Sequence, residues 1–432
     1  MELAAVYLFL PFVVLLVFGV PIGFSLGLAC TFFVAFAGTP VPLSVMITEM
    51  AASLDNYALL ALPAFVMTGE LLNRSGLTDR LIRLATSLVG WIRGGLAHVT
   101  TATGMLLGCI SGSALADAAT LGPLMIPAMV RERYPAAFAA SISGAAATIG
   151  AILPPSVPLV IIGSQLGISV GGLFVAGIIP GILTGLVLMI AAFIISVSGG
   201  YGVVHPFEGV VKAARNTLAA VPILIIPLII LGGILGGVFT PTEAGAVAVF
   251  YAIVVGVFYY RSLDARALWQ ALRATTRVTA GALIIVAISL VFGRILTYQQ
   301  VPQELLQLVL GMTENRLFLF LILVSFLLVV GTFMDAVANM IILGPLLMPI
   351  AVEGLGMHPT QYGIFLMYAL LLGVLTPPLG LVLYIVAPIA GVSIERLSLS
   401  VLPFLAAMLV VLVLIAFVPD VTLMLPRLAG YG

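Results

Sequence analysis

The sequence predicts an all-α integral membrane protein built as an inverted structural repeat, with two re-entrant helical hairpins and two broken helices. Three observations predict it: the hydropathy, a set of proline and glycine markers recurring at one offset, and the placement of the arginines. The 432 residues are 62% hydrophobic and 7% charged, where a soluble domain carries about 25% charged residues. Lipid is the solvent that suits such a surface. Basic and acidic residues number 16 each, so no basic excess points to nucleic acid. Cys30 and Cys109 lie in apolar runs and propose neither a disulfide framework nor a zinc site. His98, His205 and His358 are scattered, without metal-ligand spacing. The opening segment lacks a basic start and a cleavage site, so it does not read as a signal peptide.

The markers come in pairs. Leu121-Gly-Pro-Leu-Met-Ile-Pro127 recurs as Leu343-Gly-Pro-Leu-Leu-Met-Pro349, and Pro154-Pro155 recurs as Pro377-Pro378. Gly167-Ile-Ser169 recurs as Gly391-Val-Ser393, and Pro21 pairs with Pro241. All four pairs keep nearly the same separation along the chain. Two halves follow, 1–200 and 201–432, as expected of a repeat architecture. In the first, scaffold helices fill about 1–57 and a hairpin and broken helix fill about 95–165. In the second, the scaffold helices fall at about 218–277 and the hairpin and broken helix at about 317–388.

Each half reads in the same order. Two apolar segments open it (4–20 and 21–38; 218–238 and 241–260), although 4–38 also fits one bent helix. An amphipathic or polar stretch and a third span follow (58–72; 278–299). Next come two apolar arms around a small polar tip: 95–130 around Ser111-Gly-Ser113, and 317–351 around Gly331-Thr332. A helix interrupted by the double proline (137–165; 361–388) and a last span (172–199; 398–418) complete the half. A span needs about 20 apolar residues. If each hairpin enters and leaves on one side, each half crosses five times, and an odd number inverts the second half, as in many secondary transporters. With the loop 73–93 in the cytoplasm, 13 of the 16 basic residues fall on that side, the bias expected of cytoplasmic loops. Arg294, Arg316 and Arg427 are the exceptions.

The double prolines mark the first candidate site. Proline has no N–H to bond the carbonyl four residues earlier. Pro154 and Pro155 therefore free the carbonyls of Gly150 and Ala151, and Pro377 and Pro378 free those of Gly373 and Val374. Free carbonyls at membrane depth are costly unless a cavity or cation uses them. Thr148, Ser156 and Thr376 add hydroxyls, so these oxygens suit a hard cation such as Na⁺. A plain kinked packing helix is the alternative. The tips mark the second site: a helix starting after each tip has unsatisfied N–H groups and a partial positive charge, which attract a carboxylate. Ser111, Gly112, Ser113, Gly331 and Thr332, with Pro155 and Pro378, are the substrate candidates, set against simple N-capping by Ser113 or Thr332. Asp117 and Asp335 sit just inside the second arms, where a carboxylate is a functional candidate by default. Thr332 and Asp335 also fit a capping box. Asn339 is a further polar candidate. Gly150, Ala151, Ser113, Asp117, Thr148, Gly331, Asp335, Gly373, Val374 and Thr376 make up the cation candidates. Glu243 after Pro241 reads as a structural helix start; Glu70 and Arg294 read as snorkelling or packing residues, Arg294 with a lesser chance of meeting an anion. No nucleophile–base pair, phosphate loop or HExxH helix is present, which argues against an enzyme.

Phe239-Thr-Pro-Thr-Glu-Ala-Gly-Ala-Val-Ala248, Ser111-Gly-Ser-Ala-Leu-Ala-Asp117, Leu121-Gly-Pro-Leu-Met-Ile-Pro-Ala128, Ile152-Leu-Pro-Pro-Ser156 and Leu375-Thr-Pro-Pro-Leu-Gly380 resemble the large membrane subunit of tripartite ATP-independent periplasmic (TRAP) transporters. The similarity runs over essentially the whole chain. It implies a bacterial inner-membrane, sodium-coupled importer of small organic anions with two or more sodium sites, lying between each hairpin tip and the neighbouring broken helix. It implies an elevator-type fold in which a transport domain carrying both hairpins slides against a scaffold. It also implies two partners, a small four-helix membrane subunit and a periplasmic substrate-binding protein. Because the chain begins at the large-subunit pattern, the small subunit is expected as a separate polypeptide. The second tip lacks a serine, so hydroxyl ligation there rests on Thr332. A stand-alone sodium/dicarboxylate symporter of the same two-hairpin plan is the rival reading, and a channel or an intramembrane enzyme is the third.

Overall fold

A computed structural model describes residues 5–37, 43–207, 209–313 and 315–431. The outer ends of the predicted spans 4–20 and 21–38, residues 4 and 38, lie outside them. The described residues form helices joined by short turns, with no strand among them. Among them, seven helices are long and apolar enough to cross a membrane, or eight if the bent pair Ser44–Leu54 and Tyr57–Arg74 counts as one span. Their surface carries the pattern lipid demands. On Val170–Gly199, Ile182, Leu186, Ile190 and Ile194 recur every fourth residue and stay exposed, while Phe174, Thr184 and Leu188 are buried. A continuous stripe of exposed isoleucine and leucine along one helix face fits apolar surroundings. The chain is a multi-pass membrane protein.

The order of elements repeats. Helices start at Gly95, Ala114, Ala136, Val157 and Val170, and again at Arg316, Ala336, Pro359, Leu381 and Ile394. Each start in the second series follows its counterpart at nearly the separation of the double prolines. The Gly-x-Ser markers explain one of these joints. Gly167 and Gly391 close a helix with positive φ, a left-handed cap that favours glycine. Ser169 and Ser393 then open the next helix by accepting from Gly172 N and Arg396 N.

The two opening segments are separate helices, as the first of the two readings expects, while their lengths and other details change. Residues 5–36 form two helices that pack together, ending at Val17 and restarting at Ile22, with Gly19 at φ +78° between them. With a rise of about 1.5 Å per residue, Val6–Val17 and Ile22–Phe36 are shorter than the full spans read from hydropathy. The amphipathic or polar stretch expected before the third span is helical in both halves, as an amphipathic segment allows. In the first half it is Leu43–Leu54, bent by 60° at Asp55–Asn56, where Asn56 accepts from Ala58 N. In the second it is the start of one helix of 34 residues, Ala265–Tyr298. The loop read over 73–93 contains the helix Thr78–Val89, which buries Leu81, Leu84 and Ala85 on one face. Val301–Met312 is its counterpart.

The hairpins interlock with the broken helices. Each first arm packs on the first segment of its own half's broken helix: Gly95–Ser111 on Ala136–Thr148, and Arg316–Phe333 on Pro359–Gly373. Each second arm packs on the second segment of the other half's: Ala114–Arg131 on Leu381–Ala390, and Ala336–Pro349 on Val157–Leu166. The repeated Leu-Gly-Pro motif supplies the contact surface. Gly122 faces Ile389 and Val386, and Gly344 faces Leu166.

Candidate functional site

The first tip is built as the residue types require. Gly112 has φ +62°, and Ser113 caps Ala114–Arg131 by accepting from Ala116 N at 3.4 Å. Gly112 has no room for a side chain: a Cβ there would sit 2.8 Å from Pro155 O and 3.0 Å from Val157 N. The tip therefore rests on the first double-proline break. Ser111 Oγ donates to Asp117 Oδ1 at 2.5 Å. Asp117 is fully buried, and its Oδ2 has no hydrogen-bond partner among the described residues. That oxygen points at Gly150, where a Cβ would collide with it.

The second tip lies further along than expected. Gly331 and Thr332 belong to the last turn of Arg316–Phe333, and the turn is Met334–Asp335. Thr332 Oγ1 donates to Val329 O, so it caps nothing. The expected Thr332–Asp335 capping box is absent, because Asp335 is itself the N-cap and accepts from Val337 N at 2.9 Å. The physical reason lies in Gly331. A Cβ on Gly331 would sit 2.9 Å from the Gly373 Cα, so this glycine serves close helix packing rather than a turn. Asn339, which the repeat pairs with Asp117, occupies the matching place on the second arm. Its amide donates weakly to Met334 O and Val330 O, and its buried Oδ1 has no partner among the described residues.

The breaks are less open than the missing N–H groups suggest. Both prolyl bonds, Pro154–Pro155 and Pro377–Pro378, are cis. Three of the four carbonyls expected to be free accept hydrogen bonds. Ala151 O takes Ser156 Oγ, Gly373 O takes Thr376 N, and Val374 O takes Val382 N. Turn bonds and a cap hydroxyl replace the lost helical partners. Gly150 O accepts none of the hydrogen bonds that cross the break. A carbonyl has two lone pairs, so the engaged oxygens keep one each. Thr148 and Thr376 donate back to Ala145 O and Leu372 O, leaving their lone pairs. Among the described residues no group of three or more His, Cys, Asp or Glu is placed to hold a metal.

Both tips and both broken helices border one cavity of about 410 Å³. The first turns of three helices open onto it: Ala114–Ala116, Val157–Pro158 and Ala336–Val337. Ser111, Gly112, Ser113, Asp335, Ala151 and Val374 line it. Gly331, Thr332, Pro155, Pro378, Asp117, Thr148, Gly150, Gly373 and Thr376 do not. The helices Ala61–Arg74 and Ala265–Tyr298 close the other side, the former touching the tip where Gly69 meets Ser111. Among the described residues the lining holds no Lys, Arg or His. It does hold the carboxylates of Glu70 and Asp335, so positive potential comes from the two helix starts that Asp335 does not cap.

Glu243, Arg294 and Glu70 each meet a partner within the protein. Glu243 and Thr240 form a capping box. Arg294 pairs with Glu49 at 2.7 Å, and Arg74 with Glu70 at 3.2 Å. Gly108, Leu371 and Asn339 as the partner of Asp117 escape the sequence reading. Extending the repeat would find two of them, since Gly108 and Gly331 stand at the same separation as Pro154 and Pro377.

Residues 9–421 match the family described as the tripartite ATP-independent periplasmic transporter, DctM component. The sialic acid TRAP transporter large permease protein SiaM of Vibrio cholerae is 39% identical over 97% of each chain. The isethionate TRAP transporter permease protein DctMQ of Oleidesulfovibrio alaskensis is 37% identical over 95% of this chain and 64% of its own length. In fold, the chain is similar to the YdaH transporter of Alcanivorax borkumensis, with a TM-score of 0.60 at 17% identity, over 87% of this chain and 88% of that one.

Proposed function

The chain belongs to the DctM component family of TRAP transporters, and from that premise we propose that it is the substrate-carrying permease of a sodium-coupled importer of small organic anions in a bacterial inner membrane. The observation that carries the reading is the convergence of three helix starts from both halves on one cavity, two of them, at Ala114 and Val157, capped by neutral serines and the third by the Asp335 carboxylate. A carboxylate is the group such N–H-rich ends take. Relatives named for sialic acid and isethionate are named for anions.

The recurrence of helix starts supports an inverted repeat, and the interlocked hairpins and broken helices behave as one packed body. In the proposed elevator, that body moves against Ala61–Arg74 and Ala265–Tyr298, which close the cavity from the other side. Bound sodium would supply positive charge that the lining lacks. The residues fit a cation at the first break: Asp117 Oδ2 is buried and unpartnered among the described residues, Gly150 leaves it space, and Ser111 holds the other carboxylate oxygen. At the second break Asp335, Asn339 Oδ1 and the second lone pairs of Gly373 and Val374 are the candidate oxygens. A small membrane subunit and a periplasmic binding protein complete the proposed assembly; the isethionate relative extends well beyond the matched part, with room for a second component in the same chain.

Reconstitution tests the reading. Uptake of an organic acid into proteoliposomes should require the small subunit, the binding protein and an inward sodium gradient. Uptake by this chain alone, or without sodium, would overturn it.

A further inference from the structure

We infer that the substrate is an organic acid with a compact hydrocarbon body, such as a branched or aromatic 2-oxo acid, rather than a polyhydroxylated or second-carboxylate acid. The inference rests on the reading of the 410 Å³ cavity as the substrate site.

Apart from the helix starts and the side chains of Glu70, Asn73, Ser111, Ser113 and Asp335, the walls are apolar. One wall is a stripe of the Ala265–Tyr298 helix, Val278, Ala282 and Ile285, on one face at spacings of four and three. The facing walls include Leu115, Ile161, Val337 and Leu371. The few polar side chains are largely engaged with the protein itself. Ser111 donates its hydroxyl to Asp117, Asp335 accepts from Val337 N, and Glu70 is held by Arg74. Ser113 accepts from Ala116 N and keeps one O–H to donate. Asn73 stands beside the Glu70–Arg74 pair, in the last turn of its helix.

This inventory serves one carboxylate and, through Asn73 and the spare lone pairs of Glu70 and Asp335 at the cavity edge, only a few further polar groups. Helix-start N–H groups and the Ser113 hydroxyl satisfy the acid group. A body bearing a hydroxyl on most carbons would then lie against Val278, Ile285, Leu115 and Leu371 with its hydroxyls unpartnered, and a buried polar group without a partner is costly. A hydrocarbon body of the same size gains from the same walls. Family membership does not dictate the choice, since a 39% identical relative is named for sialic acid.

The test is equilibrium binding to the full chain assembled with its small membrane subunit in lipid nanodiscs, in sodium and in potassium buffer, with 4-methyl-2-oxopentanoate, gluconate and malate as probes. The oxo acid should bind in sodium about tenfold more tightly than either of the others, the scale on which a pocket separates such ligands. Equal or tighter binding of gluconate or malate overturns the inference and leaves the site reading intact. No binding of any acid in either buffer overturns both. A Val278→Thr, Ala282→Ser double variant, which adds hydroxyls to the wall at nearly constant shape, should cut the preference for the oxo acid over gluconate by about threefold or more. An unchanged preference in a variant that still binds would show that this wall does not select.

Discussion

Gly108 and Gly150 press backbone to backbone where the first hairpin meets the first broken helix, and a Cβ on Gly108 would overlap the Gly150 backbone. Gly331 and Gly373, their counterparts in the second half, repeat the contact: a Cβ on Gly373 would sit 2.6 Å from the Gly331 Cα. The close approach brings each hairpin tip against its own break. Small residues at such crossings are how membrane helices pack closely.

Gly108→Ala and Gly373→Ala should therefore each lower stability by about 1–3 kcal/mol, the usual range for overpacking, and impair uptake. Gly281→Ala is the control, because nothing lies within 4 Å of a Cβ there. It should be neutral or stabilising by up to about 1 kcal/mol, since alanine suits a helix better than glycine. Thermal unfolding in nanodiscs reads the difference. Equal melting of all three variants would show that the contact tolerates a methyl group.

Asp117 separates an ion-binding role from a packing role. Its carboxylate is fully buried, with one oxygen held by Ser111 and one unpartnered among the described residues. Asn fills the same space and can still accept from Ser111. If the second oxygen holds a cation, Asp117→Asn keeps the fold and its expression but loses sodium-driven uptake by about tenfold or more, the scale on which weakening a metal site acts. Full uptake in a well-expressed variant would return Asp117 to the role of a hydrogen-bond acceptor for Ser111.

What can be read ahead of the structure follows from which residues break backbone rules. Proline lacks an N–H and glycine reaches positive φ, so Pro154-Pro155, Pro377-Pro378 and the Gly-x-Ser joints announce breaks and caps by residue type alone. Packing duties carry no such mark. Gly331 resembles a tip in sequence because Gly112 is one, yet Gly331 meets a helix and Gly112 makes a turn. Thr78–Val89 is hidden because its few buried positions, Leu81, Leu84 and Ala85, lie among charged residues and a hydropathy sum over them resembles a loop. Free carbonyls are overcounted at Ala151, Gly373 and Val374, because counting missing donors does not reveal the turn bonds that replace them.

Ser156 joins two of these features. It caps Val157–Leu166 by accepting from Leu159 N and donates to Ala151 O. Ser156→Ala should cost about 1 kcal/mol through the lost cap and release the Ala151 carbonyl beside the cavity. A matched loss at Ser113→Ala, which caps the facing tip, should be similar in stability. Only Ser156→Ala should also change the sodium concentration giving half-maximal uptake. An identical sodium response in both variants would sever the Ala151 carbonyl from ion binding.

Arg294 is the remaining test of where the anion goes. The sequence allows it a chance of meeting substrate, but its guanidinium reaches Glu49 at 2.7 Å and lies outside the central cavity. Arg294→Ala removes the partner of a carboxylate that is only 22% exposed. An unpaired, partly buried charge is destabilising, so the variant should melt at lower temperature. The substrate concentration giving half-maximal uptake should not move, because no contact to the cavity is lost. The exchanged pair, Glu49→Arg with Arg294→Glu, should recover part of the lost stability, since the attraction is restored with its ends reversed. A marked weakening of substrate affinity in Arg294→Ala, with stability preserved, would instead place this arginine on the path of the anion.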